Sequence, residues 1–414
     1  MERVLLIALA RSNRQRWQKA DELEELAALT QTAGGIVVER ILQVRPAPDP
    51  ATLLGSGKIA ELNELCRRHG IELLIFDESL TPSQTRNVEA ATGVRTIDRT
   101  SLILDIFARH AKTAEAKTQV ELAQLEYRSS MLTGKGIELS RLGGGIGTVG
   151  PGETKLEVDR RRIRDRIARL KKNLVRIDKE RAVQRRSRQT ELRIALAGYT
   201  NAGKSTLMNL LTSAGVRVAP YLFATLDSNT KLWSLNRHLH AYLTDTVGFI
   251  RSLPHQLVTG FRSTLAEIRE ADLVLNVVDA ADAEAEQKIA AVRDTLKEIG
   301  CADRPMIMVL NKIDRVFEPA VLERLKRAHA PSVAISGLTG EGIENLRQAV
   351  LGWVKPSLQT RTFTIPLVRG DLVSRAYESG EVVDSVRLEG RIRLRIRGYP
   401  ALLMGLRRAL AAVR

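Results

Sequence analysis

Glu191-Leu-Arg-Ile-Ala-Leu-Ala-Gly198-Tyr-Thr-Asn-Ala-Gly203-Lys204-Ser205-Thr206 is the stretch that decides the fold. Its apolar start reads as a buried strand, and Lys204 to Leu211 reads as a helix behind it. Between them lies the pattern G-x-x-x-x-G-K-[ST] without a mismatch, the loop that cradles nucleotide phosphates. Gly198 and Gly203 let the backbone curl so that its N–H groups point inward, helped by the positive end of the helix. The expected cradle is Gly198, Asn201, Ala202, Gly203, Lys204, Ser205 and Thr206. Lys204 is expected to bridge the β- and γ-phosphates, and Ser205 to place its hydroxyl on Mg²⁺.

Three more motifs follow in order: Asp245-Thr-Val-Gly248, Asn311-Lys312-Ile-Asp314 and Ser336-Gly337. Asp245 ends an apolar strand (His240 to Thr244) and is expected to hold Mg²⁺ through water, while Gly248 offers its N–H to the γ-phosphate. Thr225, within Leu222-Phe-Ala-Thr-Leu-Asp227, lies where a switch threonine would close on Mg²⁺ and γ-phosphate; the plainer alternative is a loop threonine. Base choice rests on Asn311 and Asp314. A carboxylate at Asp314 accepts from the ring N–H and exocyclic amine of guanine, a donor pair that adenine lacks. Lys312 would lie against the base plane, and the Ser336-Gly337 backbone would meet the guanine carbonyl. Gly337 stands where alanine is usual, a change that would loosen discrimination against ATP. The ordered set reads as a GTP/GDP site with Mg²⁺, and its catalytic candidates are Lys204, Thr225, Gly248 and Asn201.

Phe249 follows the Asp-x-x-Gly motif where many regulatory GTPases carry a water-orienting glutamine. A phenyl ring cannot orient water, so intrinsic hydrolysis should be slow or the water must be held from elsewhere. Asn201 has two even readings. It resembles the asparagine of GTPases that coordinate K⁺ beside the phosphates, or it is a plain loop residue.

Charge locates other surfaces. The net charge of the chain is +16. Residues 1–100 carry 13 basic and 14 acidic residues, 101–190 carry 21 and 11, 191–355 carry 19 and 18, and 356–414 carry 11 and 5. The excess therefore sits in the second and fourth segments, which become the candidate polyanion contacts. Cys66 and Cys301 are the only cysteines and lack metal-ligand spacing, as expected of reduced thiols in a cytoplasmic protein. Val4 to Ala10 is too short for a signal peptide or a membrane span, so no membrane partner is expected.

The segments suggest an α/β chain. In 1–100, strand and helix signals alternate (Arg3–Leu9, Asp21–Thr30, Ile36–Leu42, Lys58–Arg68, Ile71–Phe76, Pro82–Ala91, Val94–Ile97), which argues a parallel α/β domain. Gly55-Ser-Gly57-Lys58 resembles a second phosphate loop but fails, because Ile59 replaces the hydroxyl; a turn capping the next helix reads better. In 101–190, Leu102 to Met131 is helix-permissive throughout. Ile163, Ile167, Leu170, Leu174 and Ile177 recur at steps of four and three, so the expectation is a basic helical hairpin. Fourteen basic residues against three acidic ones between Arg160 and Arg188 suit an RNA backbone. The glycine-dense run Leu142–Gly152 sits at its tip. A GTPase domain over 191–355 and a small α+β domain over 356–414 complete the plan. In the latter, Arg391-Ile-Arg-Leu-Arg-Ile-Arg397 alternates as a strand with its arginines on one face.

Ser140-Arg-Leu-Gly-Gly-Gly-Ile-Gly-Thr-Val-Gly-Pro-Gly-Glu-Thr-Lys-Leu-Glu157, Leu102-Ile-Leu-Asp-Ile-Phe-Ala108, Pro220-Tyr-Leu-Phe-Ala-Thr-Leu-Asp227 and Asp245-Thr-Val-Gly-Phe-Ile250 together resemble the HflX-type GTPases over nearly the whole chain. The resemblance implies association with the large ribosomal subunit and its rRNA. It also implies that the hairpin loop reaches toward the peptidyl transferase centre, and that stalled or idle ribosomes are split or rescued under stress. The protein would be a monomer when free. Two departures stand out: Val149 where arginine is expected, and Ser228-Asn229 where Pro-Thr is expected. The alternative from another class is a nucleotide-gated RNA-binding or ribosome-assembly factor that does not split ribosomes.

Overall fold

Every residue from Val4 to Ala10 is apolar, which suits a strand covered on both faces, and all seven are buried in β1 (Arg3–Ala10). The computed structural model describes residues 1–133, 155–186, 192–212, 222–223, 229–251 and 262–411. They fall into two units, Met1–Ile177 with Tyr221–Leu226 and Pro254–Phe261, and Asp178–Pro220 with Asp227–Leu253 and Arg262–Arg414.

In the first unit β1 pairs in parallel with β2 (Ile36–Val44) and β3 (Leu73–Phe76), and β4 (Arg95–Asp98) extends the sheet beyond β3. Helices Arg16–Thr32, Ser56–His69 and Pro82–Thr92 provide the crossovers, so all seven alternating elements expected here are present. Leu5, Ile7, Leu54, Leu62, Leu74 and Phe76 form the core on one face. Gly55 is the N-cap of Ser56–His69, the capping turn expected of that glycine pair.

One expectation is corrected. Leu102 to Met131 is not one helix but two, Arg99–His110 and Ala114–Thr133. Ala111 turns to extended backbone (ψ 114°), and the Thr113 hydroxyl restarts the helix by accepting from the Ala116 N–H at 3.1 Å. The basic helix Lys155–Arg186 follows, with Leu170 buried and Ile163, Ile167, Leu174 and Ile177 half-buried along the expected seam. Arg166 makes a forked pair with Glu121 at 2.7 and 2.9 Å, and Lys171 meets Glu126 at 2.9 Å, tying this helix to Ala114–Thr133. The Leu142–Gly152 loop, with Val149, lies outside the described residues, as does Arg188.

At the carboxyl ends of β3 and β4 the first unit buries a charge cluster. Arg99 reaches Asp77 and Glu25, both at 2.8 Å, while Lys19 reaches Glu22, Asp77 and Glu78 at 2.6, 3.0 and 2.9 Å. Burial alone would raise the Asp77 carboxyl, but Arg99 and Lys19 overcome it and hold the group below the usual range. Asp77 therefore contributes stability that is present above the ordinary carboxylate pKa and is lost as pH falls through its depressed value. Truncating Arg99 would leave two carboxylates in a poorly hydrated site. Arg99→Ala is expected to cost about 3 kcal/mol of unfolding free energy, seen as a lower urea midpoint at unchanged slope.

The second unit is built on a six-stranded sheet of order β10-β9-β8-β5-β7-β6, comprising β5 (Leu192–Gly198), β6 (Asn229–Ser234), β7 (His240–Asp245), β8 (Leu273–Asp279), β9 (Met306–Asn311) and β10 (Ser332–Ala334). All neighbours are parallel except the edge pair β6–β7. Leu196, Leu207, Leu243, Leu275 and Val309 are among the core residues on one face. A three-stranded antiparallel sheet follows, β11 (Gln359–Pro366), β13 (Arg391–Gly398) and β12 (Glu381–Leu388) in that order. Ile392, Leu394 and Ile396 are buried with Leu403 and Leu406 of the helix Pro400–Ala411, and Arg391, Arg393 and Arg395 are exposed on the opposite face. The strand alternation read from the sequence holds. Among the described residues no helix is long and apolar enough to cross a membrane.

Candidate functional site

β5 ends at Gly198, whose φ of 143° and closeness to β8 exclude a side chain: an added Cβ would lie 2.2 Å from the Val277 carbonyl oxygen. Gly203 has φ 96°, and a Cβ there would meet the Asn311 amide nitrogen at 2.2 Å. The loop between them leads straight into the helix Lys204–Thr212, giving the strand-loop-helix arrangement that the motif requires. Asn201 sits exposed in the left-handed region, with φ 59°.

The phosphate-side groups converge. Ser205 Oγ donates to Asp245 Oδ2 at 2.6 Å across 40 positions of chain. A hydroxyl beside a carboxylate is a pair of hard oxygen donors, the ligand chemistry that Mg²⁺ takes, so the residues present fit that ion. Lys204 is buried, and its Nζ donates to the carbonyl oxygens of Gly198 at 3.1 Å and Tyr199 at 2.8 Å. Burial pulls its pKa from 10.5 to about 8, against the opposing charge of Asp245.

That depression has two pH consequences. Between about 8 and 10.5 the unfolded chain holds more protons at this lysine, so its contribution to stability rises with pH there. A phosphate ligand favours the charged form, so above about pH 8 nucleotide binding should take up a proton. The affinity for GDP is expected to fall by up to roughly one log unit per pH unit above that point. Calorimetry at pH 9 in two buffers of different ionisation enthalpy checks this, because equal apparent enthalpies would mean that no proton is taken up.

The Asp245-Thr-Val-Gly-Phe segment is bridged to the phosphate loop. Thr200 N–H donates to the Phe249 carbonyl at 2.8 Å, and Phe249 N–H donates to the Gly198 carbonyl at 3.1 Å. Gly248 is pressed against the loop: an added Cβ would lie 2.8 Å from Thr200 Cγ2 and 3.0 Å from Lys204 Nζ. The Phe249 ring is 2% exposed, so its side chain belongs to the core and offers nothing to a water.

At the base end the motif residues contact one another. Asn311 Nδ2 donates to the Ala202 carbonyl at 2.8 Å, and its Oδ1 accepts from Gly337 N–H at 2.8 Å. Asn311 thus fastens the phosphate loop to the Ser336-Gly337 loop. A Cβ on Gly337 would stand 3.2 Å from Asn311 Oδ1, a physical reason for glycine where alanine is usual. Ser336 Oγ donates to Asp314 Oδ1 at 2.5 Å and fixes the carboxylate. Lys312 has φ 63°, and its Nζ is held by Asp279 at 2.7 Å.

The structure therefore brings Gly198, Ala202, Gly203, Lys204, Ser205, Asp245, Gly248, Asn311, Lys312, Asp314, Ser336 and Gly337 to one end of the second unit's sheet, with Thr206 in the helix behind them. Thr225 and Ser228 lie outside the described residues. Several participants escaped the sequence reading. Tyr199 accepts from Arg251 N–H at 2.7 Å through its hydroxyl, and Asp279 holds Lys312. Phe223, two residues before Thr225, is buried in the first unit with φ 60°, edge-on to Phe107 at 4.5 Å between ring centroids. Nothing in the sequence singled out Phe223, whose partner lies 116 positions away.

Most of the chain is similar to known proteins. Residues 20–108 match a family described as "GTP-binding GTPase N-terminal", 110–188 match "GTP-binding GTPase Middle Region", and 193–312 match "50S ribosome-binding GTPase". The chain is 46% identical over 347 residues to a protein of Lacrimispora saccharolytica named "GTPase HflX", covering 83% of this chain and 81% of that one. It is 40% identical over 410 residues to a protein of the same name from Caldanaerobacter subterraneus subsp. tengcongensis, covering 96% and 94%. A crystal structure described as the SsGBP and GDP complex superposes with a TM-score of 0.48 at 27% identity, over 86% of this chain and 99% of that one.

Proposed function

Because the chain belongs to the HflX family of GTPases, we propose that it binds the large ribosomal subunit in the cytoplasm and splits or rescues stalled or idle ribosomes under stress, with GTP hydrolysis as its release switch. The observation that carries the switch is the main-chain bridge between Gly198–Thr200 and Phe249. Gly248 lies against Lys204 Nζ, on the side of the loop where a γ-phosphate is expected, so GTP must displace the Asp-x-x-Gly segment and break the bridge. Hydrolysis removes the γ-phosphate and lets the bridge re-form. A segment with two such arrangements is what a nucleotide switch requires.

In this reading the phosphate loop from Gly198 to Thr206 holds the phosphates, and Lys204 neutralises charge as it gathers between the β- and γ-oxygens. Gly248 N–H directs the γ-phosphate, and Asp314 with Ser336-Gly337 selects guanine. Ser205, Asp245 and Thr225 would hold Mg²⁺, which supplies further positive charge at the same oxygens. With the Phe249 ring in the core, the attacking water is oriented by something other than that side chain. K⁺ at Asn201 and groups of the ribosome are the two sources proposed.

The deciding experiment is steady-state GTP hydrolysis in K⁺ buffer with and without purified large ribosomal subunits. Strong stimulation supports ribosome-triggered hydrolysis. Tight GTP binding without stimulation moves the partner elsewhere. Replacing K⁺ by Na⁺ in the same assay tests Asn201.

The exposed arginines of β13 are proposed as a second contact with rRNA beside the basic helix and the Leu142–Gly152 loop. Arg391, Arg393 and Arg395 stand between Pro366, Thr364 and Thr362 of β11 and Leu388, Val386 and Asp384 of β12, so the face carries three exposed cations against one acid. The triple change Arg391→Ala, Arg393→Ala, Arg395→Ala should reduce the log–log salt slope of subunit binding by roughly 2 to 3, as three lost phosphate contacts require. An unchanged slope would remove this face from the interface.

A further inference from the structure

Trp17 is 82% exposed at the start of the helix Arg16–Thr32, whereas Trp233 is 1% exposed and Trp353 packs partly buried against the core. Leaving so large a ring in water forgoes a substantial burial energy. Just before it in the chain Arg11, Arg14 and Arg16 are exposed and form no ion pair with any described residue. This positive charge is not a reflection of a basic domain, since residues 1–100 hold 13 basic and 14 acidic residues. Most of the nearby carboxylates are engaged: Lys19 takes Glu22, Asp77 and Glu78, and Arg99 takes Asp77 and Glu25, while Asp21 is the one exposed acid one turn beyond Trp17. Three guanidinium groups within six positions of the indole thus have no ion-pair partner among the described residues, against one exposed acid.

The location suits a ligand. The patch follows β1 at the carboxyl edge of a parallel sheet whose order, β2-β1-β3-β4, reverses direction at β1, and ligands of open α/β sheets gather at such edges. Arg45 N–H donates to the Ala10 carbonyl at 2.8 Å, so a further arginine backbone lies alongside. The residues between the cations are polar: Ser12, Asn13, Gln15 and Gln18, all exposed. A protein-binding core would need a contiguous apolar surface around the ring, and none surrounds Trp17 in the local sequence. An aromatic plane flanked by unpaired arginines is instead the chemistry that stacks a base and grips the neighbouring phosphates.

We infer that Arg11, Arg14, Arg16 and Trp17 form a docking surface for single-stranded RNA, with Trp17 stacked on a base and the arginines on flanking phosphates. The choice of RNA over DNA rests on the ribosome reading above; the stacking surface itself does not.

The test is titration of the full-length protein with a mixed-sequence RNA dodecamer, following the red-edge tryptophan emission, which comes from the exposed ring. The emission should be quenched on binding, and Trp17→Phe should abolish the quench while keeping the affinity within about twofold, since a phenyl ring still stacks. Trp17→Ala should weaken binding by about tenfold. The triple change Arg11→Ala, Arg14→Ala, Arg16→Ala should lower the log–log salt slope by about 2. Unchanged thermal melting and ribosome-free GTP hydrolysis verify that each variant is folded. RNA binding without quenching overturns the proposal, as does wild-type affinity in the alanine variants. The same titration is run with a DNA dodecamer of identical sequence, and tighter binding with stronger quenching there overturns the choice of RNA. If the variants lose large-subunit binding yet treat the oligomer as wild type does, the surface contacts a ribosomal protein instead. None of these readings depends on ribosomal stimulation of hydrolysis, so the two proposals fail separately.

Discussion

Asp314→Asn is expected to weaken GTP binding by about a thousandfold and to give xanthosine triphosphate the higher affinity of the two. The carboxylate of Asp314 is fixed by the Ser336 hydroxyl at 2.5 Å, in a loop fastened through Asn311 to the phosphate loop. So placed, it accepts from the ring N–H and the exocyclic amine of guanine. Each hydrogen bond to a charged group is worth about 1.5–3 kcal/mol, so weakening one to a neutral bond and turning the other into a repulsion correspond together to about a thousandfold. The amide of asparagine keeps one acceptor but aims an N–H₂ at the guanine amine, donor against donor. Xanthine carries a carbonyl at that position, which turns the clash into a hydrogen bond. Displacement of a fluorescent GDP analogue by GTP and by xanthosine triphosphate measures both affinities. A variant that still prefers GTP would take base recognition away from Asp314 and leave Ser336 with a purely structural carboxylate.

The parts of this molecule legible in the sequence are those where one residue type answers a local geometric demand. Gly198 and Gly203 were readable because no side chain fits either place, and the clashes with Val277 and Asn311 show how tight the demand is. The alternating elements of the first unit were readable because apolar runs such as Val4 to Ala10 leave a strand little choice. The break at Ala111–Thr113 was not, because Ala-Lys-Thr carries no glycine or proline and Thr113 caps only once Ala111 has already left the helix. Longer-range pairings were hidden for a different reason. Nothing near Arg99 in sequence points to Glu25, 74 positions away, and nothing near Asn311 points to the Ala202 carbonyl 109 positions back. Sequence reading found Asn311 as a base-site residue; only the fold gave it the second task of joining two loops. Phe249 lies between these cases. The missing glutamine was evident, but the main-chain bridge to Gly198 and Thr200 is a backbone property that its side chain does not encode.

Lys204→Met is expected to lower kcat for GTP by about a thousandfold while leaving the folded protein as stable as before or more so. The two halves have one cause. Lys204 holds its ammonium group in a buried site where burial drags the pKa down to about 8, so at neutral pH the fold carries a charge that its surroundings disfavour. Gly198 and Tyr199 carbonyls accept from it at 3.1 and 2.8 Å, which offsets part of the cost. Methionine has similar length and no charge, so stability is retained or gained, although the two carbonyls lose a donor. Catalysis moves the other way. A fixed positive charge in a poorly hydrated site stabilises the charge that builds on the phosphate oxygens in the transition state, and loss of one such donor costs about a hundred- to a thousandfold. GDP affinity should fall by less than kcat, because the diphosphate presents only part of that charge. Arginine should not rescue activity, since its planar fork does not fit a site bounded by the Gly198 and Tyr199 carbonyls and by Gly248. Thermal melting, GDP affinity and single-turnover hydrolysis of the same variant separate the outcomes. Lost activity in a destabilised protein would mark Lys204 as a structural cation, whereas lost activity in an equally stable one is the signature of a charge kept for the reaction.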